Sequence, residues 1–279
     1  MAFVCLRGVN HYYEWITPYH NIPDARKPTI VFIHGWAGSA RYWHSTALQL
    51  QQQFNCLLYD LRGFGRSLLP PVTDGLRDYA LESYADDLRD LLDALGLDRV
   101  WINGHSTGAS IAVLFSNLYP ERLDRMILTC SGIFEYQALA FQMFHFVSRY
   151  VVLFRPSWFV QIPYLDRLFM ARFLYQSIPT EESRAFLADF VTADGAAALG
   201  TVYTAVSKEA AMTMPQAFAQ VSVPTLLISG QYDQIIPAEM GERAASLNDR
   251  IEYACLANTA HFPMLEDAPA YFACLEKFL

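Results

Sequence analysis

The pentapeptide Gly104-His105-Ser106-Thr107-Gly108 sets a serine between two glycines, where a strand-like run (Arg99 to Asn103) meets an apolar helical run (Ala109 to Tyr119). Glycines at such a bend allow a sharp turn and close strand–helix contact that a side chain would block. The serine hydroxyl then stands before a helix N-terminus, whose free N–H groups favour developing negative charge. A serine hydroxyl is a weak nucleophile near neutral pH, so the chemistry also needs a base and a carboxylate to orient it. In a parallel sheet such groups gather beyond the carboxyl ends of the strands. His261 meets that condition, following the strand-like Ile251–Leu256 by the short loop Ala257 to Ala260. Asp233 meets it too, after Thr225–Ser229 and Gly230-Gln231-Tyr232; Glu135, after the preceding strand, is the less favoured acid. Two N–H donors must hold the oxyanion, and loss of one typically costs ~10²–10³ in turnover. Thr107 supplies one and Trp36, in the turn His34-Gly35-Trp36, the other, with His34 read as structural.

These residues need strands to carry them. Residues 2–8 and 11–16 suit an opening hairpin joined at Val9-Asn10, and a polar connector from Thr17 to Pro28 leads to Thr29–Ile33. That run is continuously apolar, as in a central parallel strand buried on both faces. A helix over roughly Ala40 to Gln53, a strand over Asn55 to Tyr59 and a loop over 70–78 follow. Leu81 to Leu95 has helical apolar spacing and ends at Gly96. Further strands are read at Arg125 to Thr129, Thr225 to Ser229 and Ile251 to Leu256, with helices at Ala238 to Leu247 and Pro269 to Leu279. Alternating strands and helices predict a mostly parallel sheet covered on both faces.

Between Ile133 and Met214 the texture changes to aromatic-rich helical spacing, divided by Pro156, Pro163, Pro179 and Gly195. The expected organisation is therefore a core of residues 1–132 and 215–279 with a helical cap, 133–214, inserted after the strand at 125–129. Thirteen aromatics lie between Phe134 and Tyr175, a density that suggests an apolar pocket over the sheet, although part of it must simply pack the cap. Residues 138–160 are apolar nearly all round, interrupted by His145, Arg149 and Arg155, and could touch a membrane surface or bind a lipid-like substrate.

The 279 residues are 53% hydrophobic and 17% charged, enough for a sizeable core and unlike a disordered chain. With a net charge of −8 and scattered basic residues, nucleic acid is not an expected partner. Five cysteines without C-x-x-C spacing read as buried thiols in a reducing compartment, with no metal site expected. The first ten residues lack signal-peptide character and no apolar run reaches the ~18–20 residues of a membrane span, so a cytoplasmic protein is expected.

Taken together, His34-Gly35-Trp36, Asp60-x-Arg62-Gly63-x-Gly65-x-Ser67, Gly104-x-Ser106-x-Gly108, Gly230-x-x-Asp233 and Ala260-His261-Phe262-Pro263 resemble the α/β-hydrolase superfamily, in its capped, esterase-like branch. The resemblance implies the α/β-hydrolase fold, with Ser106 as nucleophile, His261 as base, Asp233 as its orienter, and Trp36 and Thr107 as oxyanion donors. It implies no cofactor. Relatives with an aspartate nucleophile, the haloalkane dehalogenases and epoxide hydrolases, are excluded by Ser106, and no pocket lysine of the hydroxynitrile-lyase kind is identified. Phe262 after the histidine and Trp36-Ala37-Gly38 in the turn weaken a resemblance to C–C bond hydrolases. The expected activity is cleavage of a small carboxylic ester with a hydrophobic part. C–C bond, lactone or thioester hydrolysis by the same triad, or a hydrolase-like ligand receptor, are the alternatives. The sequence does not set the oligomeric state.

Overall fold

Positive φ at two successive residues, Arg7 (48°) and Gly8 (77°), closes the first hairpin. A two-residue loop with both φ positive matches the right-handed twist of its strands. The turn therefore lies at Arg7-Gly8 and not at Val9-Asn10, which belongs to the second strand; Leu6 pairs with Val9. The computed structural model describes residues 2–18, 22–70 and 78–279. Most of the loop expected at 70–78 and three residues of the Thr17 to Pro28 connector lie outside the described residues.

In chain order the strands are β1 (Ala2–Leu6), β2 (Val9–Ile16), β3 (Thr29–Ile33), β4 (Asn55–Tyr59), β5 (Val100–His105), β6 (Leu123–Thr129), β7 (Thr225–Gly230) and β8 (Ile251–Leu256). The helices are α1 (His44–Leu50), α2 (Leu81–Ala94), α3 (Thr107–Leu118), α4 (Ala138–Leu153), α5 (Leu165–Met170), α6 (Thr180–Thr192), α7 (Gly195–Ala205), α8 (Lys208–Ala219), α9 (Ala238–Ala245), α10 (Pro263–Glu266) and α11 (Ala268–Phe278). The helix expected over Ala40 to Gln53 is a 3₁₀ turn, Ala40–Trp43, followed by the shorter α1.

The eight strands form one sheet in the order β1-β2-β4-β3-β5-β6-β7-β8. β1–β2 and β2–β4 are antiparallel, and the remaining pairs are parallel. Every residue of β3, β4 and β7 is buried, which is why these strands read as continuous apolar runs. One apolar cluster packs α2, α3 and α8 on one face, and a second packs α1 and α11 on the other. The parallel strands β3, β5, β6, β7 and β8 thus deliver their carboxyl ends to a single edge.

Helices α4 to α8 all fall between β6 and β7. Position 214/215, expected as a boundary, lies inside α8. The last turn of α8 is fastened to the core: Asn117 donates to the Ala217 carbonyl, and Asn248 donates to those of Phe218 and Ala219. Among the described residues no single helix is long and apolar enough to cross a membrane. Of the five free cysteines only Cys56 and Cys130 are buried. Cys5 and Cys255 are exposed because they sit on the two edge strands, β1 and β8, at outward positions.

Candidate active site

Ser106 joins β5 to α3 with φ 53° and ψ −120°, a conformation that a side chain adopts only under constraint. The constraint is visible. The Ser106 N–H donates to the Thr129 carbonyl at 2.9 Å, and its own carbonyl accepts from Ala109 and Ser110 in the first turn of α3. A Cβ on Gly104 would lie 2.6 Å from the Gly108 carbonyl oxygen, and one on Gly108 would lie 2.5 Å from that of Ile33. The two glycines therefore let α3 approach β3 and β5 closely enough to force the bend. Ser106 is half-buried, and the Thr107 N–H, first in α3, has no acceptor within its own helix.

Asp233 and His261 come together at the same edge. Asp233 Oδ2 lies 2.7 Å from His261 Nδ1, and both side chains are buried. Asp233 Oδ1 accepts the N–H groups of Ile235 (2.7 Å) and Ile236 (3.0 Å), so the carboxylate is held from both oxygens. Bound this way it fixes a proton on Nδ1 and leaves Nε2 as the basic nitrogen. Glu135 takes no part: it pairs with Arg243 at 2.6 Å on the surface.

Sequence reasoning missed how the pieces are locked together. His105 Nε2 donates to the His261 carbonyl at 2.7 Å, because a carbonyl can only accept. His105 Nδ1 must then accept, from the Tyr42 hydroxyl at 2.9 Å. The Tyr42 oxygen accepts in turn from the Gly35 N–H at 2.5 Å. This relay joins the Trp36 turn, the serine bend and the histidine loop. Burial, then the neighbouring His261, holds the His105 pKa well below the usual range, so it stays neutral as the relay requires. Burial pushes the Tyr42 phenol well up, keeping its proton. The pentapeptide contains His105, but Tyr42 had no motif to mark it.

Glu266 is the second missed residue. Its Oε1 accepts from Ala260 and Phe262, on either side of His261, and its Oε2 from Tyr175 and Gln176 in the helical segment. The His261 N–H also donates to the Phe173 carbonyl, at 2.9 Å. The loop carrying His261 is thereby tied to residues 173–176.

The turn after β3 is anchored just as firmly. His34 Nδ1 donates to the Gly35 carbonyl at 2.8 Å and its Nε2 accepts from the Leu61 N–H at 2.9 Å, a structural role as expected. Burial lowers its pKa, which suits that neutral form. A Cβ on Gly35 would stand 3.2 Å from the Ser106 Cβ, so turn and bend are in contact. The Trp36 indole N–H donates to the Ala198 carbonyl of α7 at 2.9 Å. Asp60 gathers Ala40 N–H and the Arg66 guanidinium; burial, the largest single influence, would raise its pKa, but Arg66, His34 and the Ala40 N–H together hold it below the ordinary value.

His105, Cys130 and His261 offer the one cluster of metal-ligating type among the described residues, with atoms within 4.8 Å. Both His105 nitrogens and His261 Nδ1 already have partners, so the cluster is built as a hydrogen-bond network rather than a ligand set. The aromatics between Phe134 and Tyr175 divide differently from expectation. Eight of the thirteen, among them Phe146, Phe154 and Tyr164, are exposed. Phe173 instead meets the His261 ring at 6.1 Å, and Phe169 makes tilted ring contacts with Phe173 at 5.9 Å and with Phe190 at 4.8 Å, the latter also meeting Trp36.

A family model described as the alpha/beta hydrolase fold matches residues 28–268, and the chain belongs to this family. Among curated proteins it is 28% identical over 268 residues to the "Putative carbamate hydrolase RutD" of Pseudomonas savastanoi pv. phaseolicola, covering 93% of this chain and 96% of that one. Among solved structures it superposes on the enol-lactonase of Burkholderia xenovorans LB400 with a TM-score of 0.82 at 18% identity, over 99% of both chains. An esterase from Exiguobacterium antarcticum gives a TM-score of 0.80 at 18% identity, over 99% of this chain and 98% of that one. These two likenesses establish the shared fold.

Proposed function

We propose that this protein is a serine hydrolase that cleaves a carboxylic ester with a hydrophobic part through an acyl-enzyme on Ser106. One observation carries the reading: a serine on a strained bend lies one hydrogen-bonded residue, His105, from a buried His261–Asp233 pair held at 2.7 Å. In this mechanism Ser106 Oγ attacks the ester carbonyl while His261 Nε2 takes its proton. The N–H groups of Trp36 and Thr107 hold the oxyanion. The tetrahedral intermediate collapses, and the alcohol leaves with the proton from His261. Water, deprotonated by His261, then attacks the acyl carbon and releases the carboxylate and free Ser106. Residues 133–214 act as a cap whose Phe169, Phe173 and Phe190 contact the hydrophobic part of the substrate.

The test is hydrolysis of a chromogenic ester series of increasing acyl length by the wild type and by Ser106→Ala. The proposal expects turnover with a preferred chain length, lost in the variant. Equal hydrolysis by both proteins, or none by folded wild type, overturns it. Relatives named for carbamate and enol-lactone hydrolysis favour a second reading, the same triad acting on a lactone or carbamate. Lactone and carbamate substrates in the same assay decide between them.

A further inference from the structure

Helix α4 turns its apolar half outward. Leu139, Met143, Phe146, Tyr150, Leu153 and Phe154 are all exposed, Leu139 by 74% and Phe154 by 67%, while Ser148 and Val152 face inward. At about 100° per residue these six positions fall within an arc of about 100°, which the exposed Phe144, Val147 and Val151 widen to about half the helix circumference, with the buried pair opposite. The surface continues past α4 through the Phe154–Phe159 ring contact at 5.6 Å to the exposed Trp158, Tyr164 and Leu168. Apolar patches of this extent on a soluble fold mark an interaction surface.

Charge identifies the partner. The chain carries −8 overall, yet residues 136–180 contain four arginines and a single acid, Asp166, which is buried. Arg149, Arg167 and Arg172 are exposed, and Arg149 lies at the edge of the α4 apolar half. A second copy docked face to face would bring these arginines near copies of themselves, with no exposed acid on the stretch to pair with them. An anionic lipid surface supplies the missing negative charge, accepts apolar side chains at the headgroup boundary, and suits Tyr and Trp at that depth. We infer that the outer face of α4 and the adjoining Ser157–Gln161 and α5 stretch docks the protein on an anionic membrane surface, with α4 lying in the interface plane.

Flotation with vesicles of two parts phosphatidylcholine to one part phosphatidylglycerol, against pure phosphatidylcholine, tests this. The wild type is expected to float with the anionic vesicles, each exposed arginine strengthening partitioning by about fivefold over neutral ones. The double variant F146D/L153D, altered only at exposed positions, is expected to stay at the bottom while keeping its thermal midpoint and its turnover of a short soluble ester. Arg149→Glu, which leaves the apolar face intact, is expected to weaken anionic flotation alone. Wild type that does not float with anionic vesicles, or variants that float as well as wild type, overturn the inference. So does a concentration-dependent dimer in sedimentation velocity that F146D/L153D abolishes without any vesicle binding, since the face then serves a second copy.

Discussion

Asp189 on α6 is buried, receives the Ser39 hydroxyl at 2.5 Å and pairs with Arg41 at 3.0 Å. Ser39 caps the 3₁₀ turn that follows the Trp36 turn, so this carboxyl joins the helical segment to the candidate oxyanion turn. Burial pushes its pKa from 3.8 up to about 6, with a further push from Asp60, against the opposing pull of Ser39, Arg41 and Arg66. A carboxyl whose folded-state pKa lies above its unfolded value is stabilising while protonated. That stability is complete below the unfolded pKa and is lost as pH rises through the folded one. The shift of about two units corresponds to a loss of about 3 kcal/mol, of which about 1.5 kcal/mol falls between pH 5 and pH 8. Asp189→Asn cannot ionise. Urea unfolding of both proteins across that range is therefore expected to show the wild type weakening with pH relative to the variant by about 1.5 kcal/mol. A constant difference between the two proteins, or one of opposite slope, refutes the reasoning.

Two further substitutions probe the residues that lock the site. Tyr42→Phe removes the acceptor of the Gly35 N–H and the donor to His105 at once, stranding buried groups at about 1–3 kcal/mol each. Thermal unfolding is expected to report that loss, and ester kinetics to show kcat falling more than KM changes. Glu266→Ala strands four backbone N–H groups around His261 and residues 175–176. It is expected to lower stability by a few kcal/mol and to speed hydrogen exchange at Ala260 and Phe262, and unchanged exchange there contradicts the tie.

The strand bearing Asp233 was legible because a parallel strand buried along its whole length leaves a nearly continuous apolar run. β5 and the edge strand β8 are only partly buried, and Ser106 and His261 were legible because each follows its shorter apolar stretch within a few positions. The bend was legible because its two glycines are sterically required. The first hairpin was misplaced by two residues because Arg7 is not a residue that announces a positive φ, although Gly8 beside it is. Tyr42, Glu266 and Asp189 were not legible for a different reason. Their partners lie 63 to 150 residues away in several cases, and nothing in a single sequence records which buried polar groups meet. The exposed face of α4 shows the same limit on another level. Periodicity reveals which residues share a face, but whether that face is covered depends on helices the chain adds later.

Labelling with a fluorophosphonate, which phosphonylates only an activated serine, tests the central claim most directly. The account predicts one adduct per chain by intact mass, mapped to Ser106, absent in Ser106→Ala and strongly slowed in His261→Ala. An adduct on another residue, or labelling of Ser106 that is indifferent to His261, contradicts it.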